Sequence, residues 1–325
     1  MNKTLIIGEA GINHNGDFNK AKRLIDIAKY ANVDCVKFQL FDPKNIVNKD
    51  IKSKKYNFKK IYKRFASLQF KINEWKKIVS YARKKRIKIF FSVFDINSYK
   101  LLKKFKINIV KIPSGEINNI PLLEEINKSK PRVILSTGMS NMKEISLALT
   151  KLKNCHVQLL HCTSEYPNKK PNLLLIKKLK QIFKKEIGFS DHSIENVTPA
   201  LAVMMGAKII EKHFTYNKKQ KFGDHKMSLD PLELKRMVEF IRFAENSIGN
   251  GKKIVSTQEK QLQSIARKGI YLNKPMKKNE KIKMQNLSFL RPVVGLQANQ
   301  YKLILDKKLN KNLKKNKPLN LRMFK

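Results

Sequence analysis

The sequence predicts an α/β fold: a (β/α)8 TIM barrel followed by a small β-rich domain. Three observations carry this reading. Eight short, β-rich apolar runs alternate with amphipathic stretches; polar residues gather at the C-terminal ends of those runs; and the pattern changes after a glycine-containing break, Gly249-Asn250-Gly251. Eight strands, each followed by a helix, is the arithmetic of a closed barrel. A doubly wound open sheet is the architectural alternative.

The runs fall at residues 4–8, 34–40, 87–94, 107–114, 132–137, 156–163, 186–190 and 208–214. Helical periodicity fills residues 20–30, where Leu24, Ile27 and Ala28 share a face, and then 74–85, 97–105, 141–152, 173–183, 197–205 and 231–247. The segment 43–70 is long for a strand-to-helix connection and rich in Lys, Tyr and Phe, so it is expected to be an excursion near the active-site face. The barrel is assigned to 1–248, a linker to 249–264 and the small domain to 265–325, where short strands alternate with Lys-Pro, Lys-Asn and Arg-Pro turns. A domain of that size is near the lower limit for folding alone and is expected to lean on the barrel or on a neighbouring subunit.

The 325 residues carry 70 Lys+Arg against 25 Asp+Glu, a formal charge of +45. Such an excess raises the possibility of a polyanion or nucleic-acid binder. The cations are 60 Lys and only 10 Arg, alongside 34 Ile and 30 Asn, and they are spread through every helix and loop, as in Lys84-Lys85, Lys177-Lys178 and Lys314-Lys315. Arginine's bidentate fork and a one-sided basic face, the marks of nucleic-acid recognition, are missing, so neither nucleic acid nor a membrane is the expected partner. At 42% hydrophobic and 29% charged residues the chain is globular. Cys35, Cys155 and Cys162 have neither disulfide nor metal spacing, no signal-like run opens the chain, and no stretch nears the ~18 apolar residues of a membrane span, so the expected compartment is the cytoplasm.

The chemistry lies at the strand ends. Strand one ends in Gly8-Glu9-Ala10-Gly11; strand two carries Lys37 and Gln39; strand three ends in Ser92; strand four ends in Lys111-Ile112-Pro113-Ser114-Gly115-Glu116. Strands five to eight end in Ser136-Thr137-Gly138, His161-Cys162-Thr163-Ser164-Glu165-Tyr166, Ser190-Asp191-His192-Ser193 and Glu211-Lys212-His213. Singly, each has a bland explanation, a solvated lysine or a turn-satisfying serine. Eight strand ends together converge on one barrel mouth, where this architecture keeps its active site. Lys37, Lys111 and the hydroxyls of Ser92, Ser114, Ser136, Ser164 and Ser190 suit a small dianion bearing phosphate and carboxylate. His192 and His213 suit a divalent ion that keeps open positions, Mn2+ first, with Mg2+ or Co2+ as alternatives. Glu9 and Glu116 suit acid–base work or stabilisation of a cationic intermediate, or else ion-pair with those same lysines.

These motifs, in order, resemble the sialic acid synthase family: Ile7-Gly8-Glu9-Ala10-Gly11-Ile12-Asn13-His14-Asn15-Gly16, Val36-Lys37-Phe38-Gln39, Lys111-Ile112-Pro113-Ser114-Gly115-Glu116, Leu135-Ser136-Thr137-Gly138-Met139, His161-Cys162-Thr163-Ser164-Glu165-Tyr166-Pro167, Gly188-Phe189-Ser190-Asp191-His192 and Glu211-Lys212-His213-Phe214. The match spans nearly the whole chain, and Leu290-Arg291-Pro292 with Asp306-Lys307-Lys308 resembles that family's C-terminal antifreeze-like (β-clip) domain. The resemblance implies condensation of phosphoenolpyruvate with an open-chain N-acetylated amino sugar to a nine-carbon 2-keto acid, with release of phosphate. N-acetylmannosamine, giving N-acetylneuraminate, is the first acceptor expected. A diacetamido-trideoxyhexose, giving N,N'-diacetyllegionaminate, is the alternative. The resemblance further implies that the metal polarises the sugar aldehyde, that Glu116 activates water or stabilises an oxocarbenium, and that Glu9 assists proton handling. It also implies that Gln39, Tyr166 and Asp224 meet sugar hydroxyls and that Arg291 reaches the N-acyl group from the partner of a domain-swapped homodimer. Three segments depart from the family pattern: Phe91-Ser92-Val93-Phe94-Asp95, Phe222-Gly223-Asp224-His225 and Arg291-Pro292-Val293-Val294-Gly295.

Overall fold

A computed structural model of the chain describes residues 3–220 and 223–325. Its elements, in chain order, begin with β1 (Leu5–Gly11), α1 (Phe18–Tyr30), β2 (Cys35–Leu40), α2 (Pro43–Ile46), α3 (Phe58–Ser67), α4 (Ile72–Lys84), β3 (Lys88–Val93), α5 (Ile96–Lys104) and β4 (Ile109–Ile112). There follow α6 (Ile120–Lys128), β5 (Arg132–Ser136), α7 (Met142–Lys151), β6 (His156–Cys162), α8 (Leu174–Phe183), β7 (Ile187–Asp191), α9 (Thr198–Met204), β8 (Ile209–His213) and α10 (Pro231–Ile248). The strands form one closed parallel barrel in sequence order. Closure excludes the open sheet, because Ile7 of β1 is in register with both Cys35 of β2 and Glu211 of β8.

Local sequence starts the helices where they start. Asp17 accepts from the Asn19 and Lys20 amides at the head of α1, and Asn141 with Glu144 and Asp230 with Glu233 make reciprocal capping boxes for α7 and α10. The excursion 43–70 contains the short helices α2 and α3, and α6 adds a helix absent from the periodic segments recognised in the sequence. Outward-facing strand residues such as Ile6, Val36, Phe91, Leu135 and Ile210 pack with the inner faces of the helices as the main core. Inward-facing residues Ile7, Cys35, Phe90, Ile134, Leu160 and Ile209 form a separate apolar layer inside the barrel. That inner layer is the floor on which the polar residues stand. At ~25 cal/mol per Å2 its burial stabilises the ring, but it offers nothing reactive.

Residues 1–249 and 250–325 are distinct compact units. The second holds α11 (Thr257–Ala266) and an antiparallel pair, β9 (Gly269–Leu272) with β10 (Leu287–Leu290), in the register Leu287↔Leu272 to Leu290↔Gly269. Its own core gathers Ile270, Leu272, Ile282, Leu296, Ile304, Leu309 and Leu319. Two differences from the sequence reading appear. Half of the stretch expected as a linker is helix α11, opened by a Ser256–Glu259 capping box. Beyond the two short strands, pairing is by isolated bridges such as Met276↔Leu313 and Lys281↔Lys308, because the frequent Lys, Asn and Pro turns interrupt longer ladders. Among the described residues no helix is long and apolar enough to cross a membrane.

Candidate active site

Period-two alternation builds the site directly above the apolar floor. Two residues beyond Ile7, Cys35, Phe90, Ile134 and Ile209 stand Glu9, Lys37, Ser92, Ser136 and Glu211, each buried. Lys111 and Ser190 join them from β4 and β7. Lys37 donates from Nζ to Ser92 Oγ at 2.6 Å and lies 2.8 Å from Glu9 Oε2 and 3.5 Å from Glu211 Oε2. Lys111 donates to Ser136 Oγ at 2.6 Å and lies 3.8 Å from Glu211 Oε1, which accepts from Ser190 Oγ at 2.9 Å. The Lys37 contact with Glu9 is ionic but off the hydrogen-bonding direction, so Glu9 Oε2 and Glu211 Oε2 retain acceptor capacity.

The two lysines diverge electrostatically. Burial opposes charge on Lys37, but Glu211 and Glu9 overcome it and hold the ammonium above the ordinary lysine range. At Lys111 burial prevails; Glu211 offsets it in part, Lys37 adds repulsion, and the net is downward. Burial alone would raise Glu211, yet Lys111 and Lys37, with the Ser190 hydroxyl, keep it ionised and well below the usual carboxylate range. The result is a nearly charge-balanced layer in which the cations are held by hydroxyls and carboxylates rather than by water.

Higher up, the backbone contributes. The Gly138 amide donates to Ser114 Oγ at 3.1 Å, and a Cβ on Gly138 would fall 2.4 Å from Ser164 Oγ and 2.8 Å from Ser114 Oγ. Only glycine leaves that hydroxyl cradle open. At the rim, the His192 and His213 ring centroids are 5.7 Å apart, and Tyr166 stacks on His192 at 4.2 Å. His192 donates through Nδ1 to Thr163 O at 2.8 Å, which leaves Nε2 with its lone pair. His213 Nδ1 is buried with no hydrogen-bond partner, and Asp224 Oδ2 is 3.5 Å away. An orphaned imidazole nitrogen, a second imidazole set in tautomer by a carbonyl and a nearby carboxylate fit a divalent ion. Among the described residues no group of three or more His, Cys, Asp or Glu is arranged as a complete metal cage.

Asp224 is itself held in place. Asn13 Oδ1 accepts from the Asp224 amide at 2.9 Å, while its Nδ2 donates to Phe214 O at 2.8 Å and Ser228 Oγ at 3.0 Å. Together these groups surround a cavity of about 490 Å3, the size of a small-molecule site.

The comparisons with known proteins decide the lineage. The NeuB family model matches residues 24–253. The chain belongs to the NeuB family. It is 41% identical to the N,N'-diacetyllegionaminic acid synthase of Campylobacter jejuni, over 97% of this chain and 98% of that protein. It is 35% identical to the protein of the same name from Legionella pneumophila, over 95% and 91%. Among solved structures, the N-acetylneuraminic acid (sialic acid) synthetase of Leptospira borgpetersenii, in complex with citrate, aligns at TM-score 0.74 and 35% identity over 80% of this chain and 90% of that one. The resemblance read from the sequence motifs is therefore correct, and the protein is an enzyme of the NeuB family.

Within this NeuB-family barrel, Glu9, Lys37, Gln39, Ser92, Lys111, Ser114, Ser136, Ser164, Tyr166, Ser190, His192, His213 and Asp224 all line the one cavity. Glu116 does not. Its Oε2 accepts from Asn119 Nδ2 at 2.7 Å, since the 3-10 turn Ser114–Glu116 leads directly into the α6 N-cap. Burial, partly offset by Asn119 and reinforced by Asp95, holds its carboxyl above the usual range. Arg291 is an exposed residue of the second unit, and Phe222 lies outside the described residues. Sequence reasoning named Glu211 at the end of strand eight but gave it no role, although it sits two residues before His213 and therefore on the same inward face. It also passed over Arg64 and Phe65, which reach the cavity from α3, and over Ile12, Phe94 and Cys162.

Proposed function

We propose that this NeuB-family enzyme is an N,N'-diacetyllegionaminate synthase, condensing phosphoenolpyruvate with an open-chain diacetamido-trideoxyhexose and releasing phosphate. One observation carries the chemistry: two fully buried lysines, each hydrogen-bonded to a serine hydroxyl and flanking Glu211, at the base of a cavity rimmed by two histidines. That layer supports a ligand with two anionic groups far better than a neutral sugar. The relatives at 41% and 35% identity, both named for the legionaminate reaction, support this acceptor and put it ahead of N-acetylmannosamine.

In this reading Lys37, Lys111 and the serines at 92, 114, 136, 164 and 190 hold phosphoenolpyruvate, with the Gly138 cradle receiving oxygen atoms of the anion. Gln39, Tyr166 and Asp224 orient the sugar hydroxyls. Carbon 3 of phosphoenolpyruvate attacks the aldehyde carbon, and the alkoxide oxygen takes a proton. Carbon 2, left as an oxocarbenium, takes water; the water's proton leaves, and the tetrahedral intermediate breaks its C–O bond to release phosphate. Glu9, a β1 residue that lines the cavity, handles the proton at the aldehyde oxygen. Glu9 and Glu211 also place negative charge where the oxocarbenium develops, and Glu116, whose Oε2 accepts from Asn119, is kept as the candidate that activates the water. A divalent ion, Mn2+ first among the candidates, would be held by His192 and His213 and would supply Lewis-acid polarisation of the aldehyde. The second unit is proposed as the antifreeze-like domain of a domain-swapped homodimer, with Arg291 reaching the N-acyl group bound by a second copy.

The test is phosphate release from phosphoenolpyruvate with Mn2+ and either N-acetylmannosamine or the diacetamido-trideoxyhexose. Faster release with the trideoxyhexose is expected. No release with any amino sugar would sink the synthase reading, and selective use of N-acetylmannosamine would overturn the choice of acceptor.

A further inference from the structure

The cavity is not polar on every side. Ile12, Phe65 and Phe94 line it as well, and they belong to one apolar cluster with buried Phe41 and Leu68. Phe41 stacks edge-on against Phe65 at 5.2 Å and against Phe94 at 5.8 Å, so three elements, the β1 loop, α3 and the end of β3, present a continuous hydrocarbon surface.

The wall is fixed at both ends of the excursion. Asp95, next to Phe94, accepts from the Asp42 amide at 3.0 Å, from Asn45 Nδ2 at 3.4 Å and from the Ser98 amide at 2.9 Å, and thereby ties the start of the excursion to the end of β3. At the other end Gly16, with φ +73°, lies so close to the last residue of α3 that a Cβ there would fall 2.1 Å from Ser67 O. Leu68, the next residue, is buried in the cluster. α3 buries no residue fully, yet Phe65 is held against Phe41 by these two anchors.

We propose that Ile12, Phe65 and Phe94 form the specificity surface for the acceptor, receiving the deoxygenated C6 methyl edge of a trideoxyhexose. The inference rests on the synthase reading above and adds the group that discriminates between acceptors. A hydroxymethyl in the same place sets its hydroxyl against hydrocarbon, without the hydrogen bonds it had in water. A methyl loses nothing there. Discrimination of this kind, one added hydroxyl against an apolar wall, is worth on the order of 10²-fold in kcat/KM.

The experiment compares kcat/KM for three acceptors, each with phosphoenolpyruvate and Mn2+: the diacetamido-trideoxyhexose, its 6-hydroxy counterpart and N-acetylmannosamine. Wild type, Phe65→Leu and Phe65→Ser are measured. The wild type is expected to favour the trideoxyhexose over its 6-hydroxy counterpart by about 10- to 100-fold. Phe65→Leu keeps most of that ratio, and Phe65→Ser lowers it by about tenfold, chiefly through the acceptor terms, while the KM for phosphoenolpyruvate holds. A Phe65→Ser ratio equal to wild type overturns the wall assignment while leaving the synthase reading intact, as does an equal loss in the leucine and serine variants. Wild-type turnover of N-acetylmannosamine alone overturns both.

Discussion

The charge balance of the cavity turns on Glu211, and Glu211→Gln tests it. Glutamine keeps the volume and an oxygen to accept from Ser190, but it removes a negative charge 3.5 Å from Lys37 Nζ and 3.8 Å from Lys111 Nζ. Lys37 keeps Glu9 at 2.8 Å. Lys111 keeps as hydrogen-bond partners the Ser136 hydroxyl and, at 3.4 Å, the Ile112 carbonyl, with Cys162 and Glu9 giving weaker electrostatic support than Glu211 did. At an effective dielectric of about 20, an ion pair at that separation is worth about 4 kcal/mol. Without it Lys111, already pulled down by burial, would fall further. A lysine holds a dianion only while protonated. The alkaline limb of kcat/KM for phosphoenolpyruvate should therefore move to lower pH, read from phosphate release across about pH 6 to 10. Unfolding in denaturant should show a loss of about 3–5 kcal/mol, the cost of leaving a buried charge without its partner. An unmoved limb, or one displaced to higher pH, would refute the reasoning. So would tighter phosphoenolpyruvate binding at neutral pH, which would make Glu211 merely a repulsive anion.

Other outcomes follow from the same geometry. Chelation should abolish phosphate release and Mn2+ should restore it; His213→Ala should lose turnover even with excess metal, and an undiminished rate would contradict the metal role. Asn13→Ala removes three hydrogen bonds around the Asp224 loop, two of them buried, so the acceptor KM should rise by about tenfold or more while the KM for phosphoenolpyruvate changes little; equal changes in both would point to general misfolding. His14 is buried among Phe38, Phe70 and Trp75, and burial, slightly offset by Asp17, pushes its pKa down to about 3. The unfolded chain therefore takes up a proton that the folded one refuses, so stability is lost as pH falls below about 6.5, by up to about 1.4 kcal/mol per unit for this residue. Denaturant midpoints at about pH 7 and pH 5 should converge in His14→Asn, and an unchanged difference would exclude His14 as the source.

The barrel was legible because its two signals, apolar runs and polar strand ends, are both local. Alternation along a strand is equally local, and applied strictly it would have found Glu211 from His213, just as it places Glu9 above Ile7 and Lys37 above Cys35. Arg64 and Phe65 are a different case. They sit on an excursion helix whose position depends on a close approach at Gly16 and on the buried anchor Leu68, neither of which has a periodicity to read. Glu116 is the case where motif and local geometry give different information: the motif names it as a site residue, while the fold adds a local partner three positions on, Asn119, which donates to one of its carboxylate oxygens.

The +45 charge and the cavity belong to separate electrostatic problems. Inside, Lys37 and Lys111 are matched by Glu9 and Glu211 at short range, so the excess of cations does not reach the floor of the site. The charge of a solvent-exposed lysine is screened by physiological salt over ~8 Å, so it acts on the rate of encounter with an anion rather than on its bound geometry. Raising the ionic strength should accordingly lower kcat/KM for phosphoenolpyruvate while leaving kcat nearly constant. If kcat itself fell with salt, the buried pairs would have to be accessible to ions, and the closed lysine–carboxylate layer would not be the state that binds substrate.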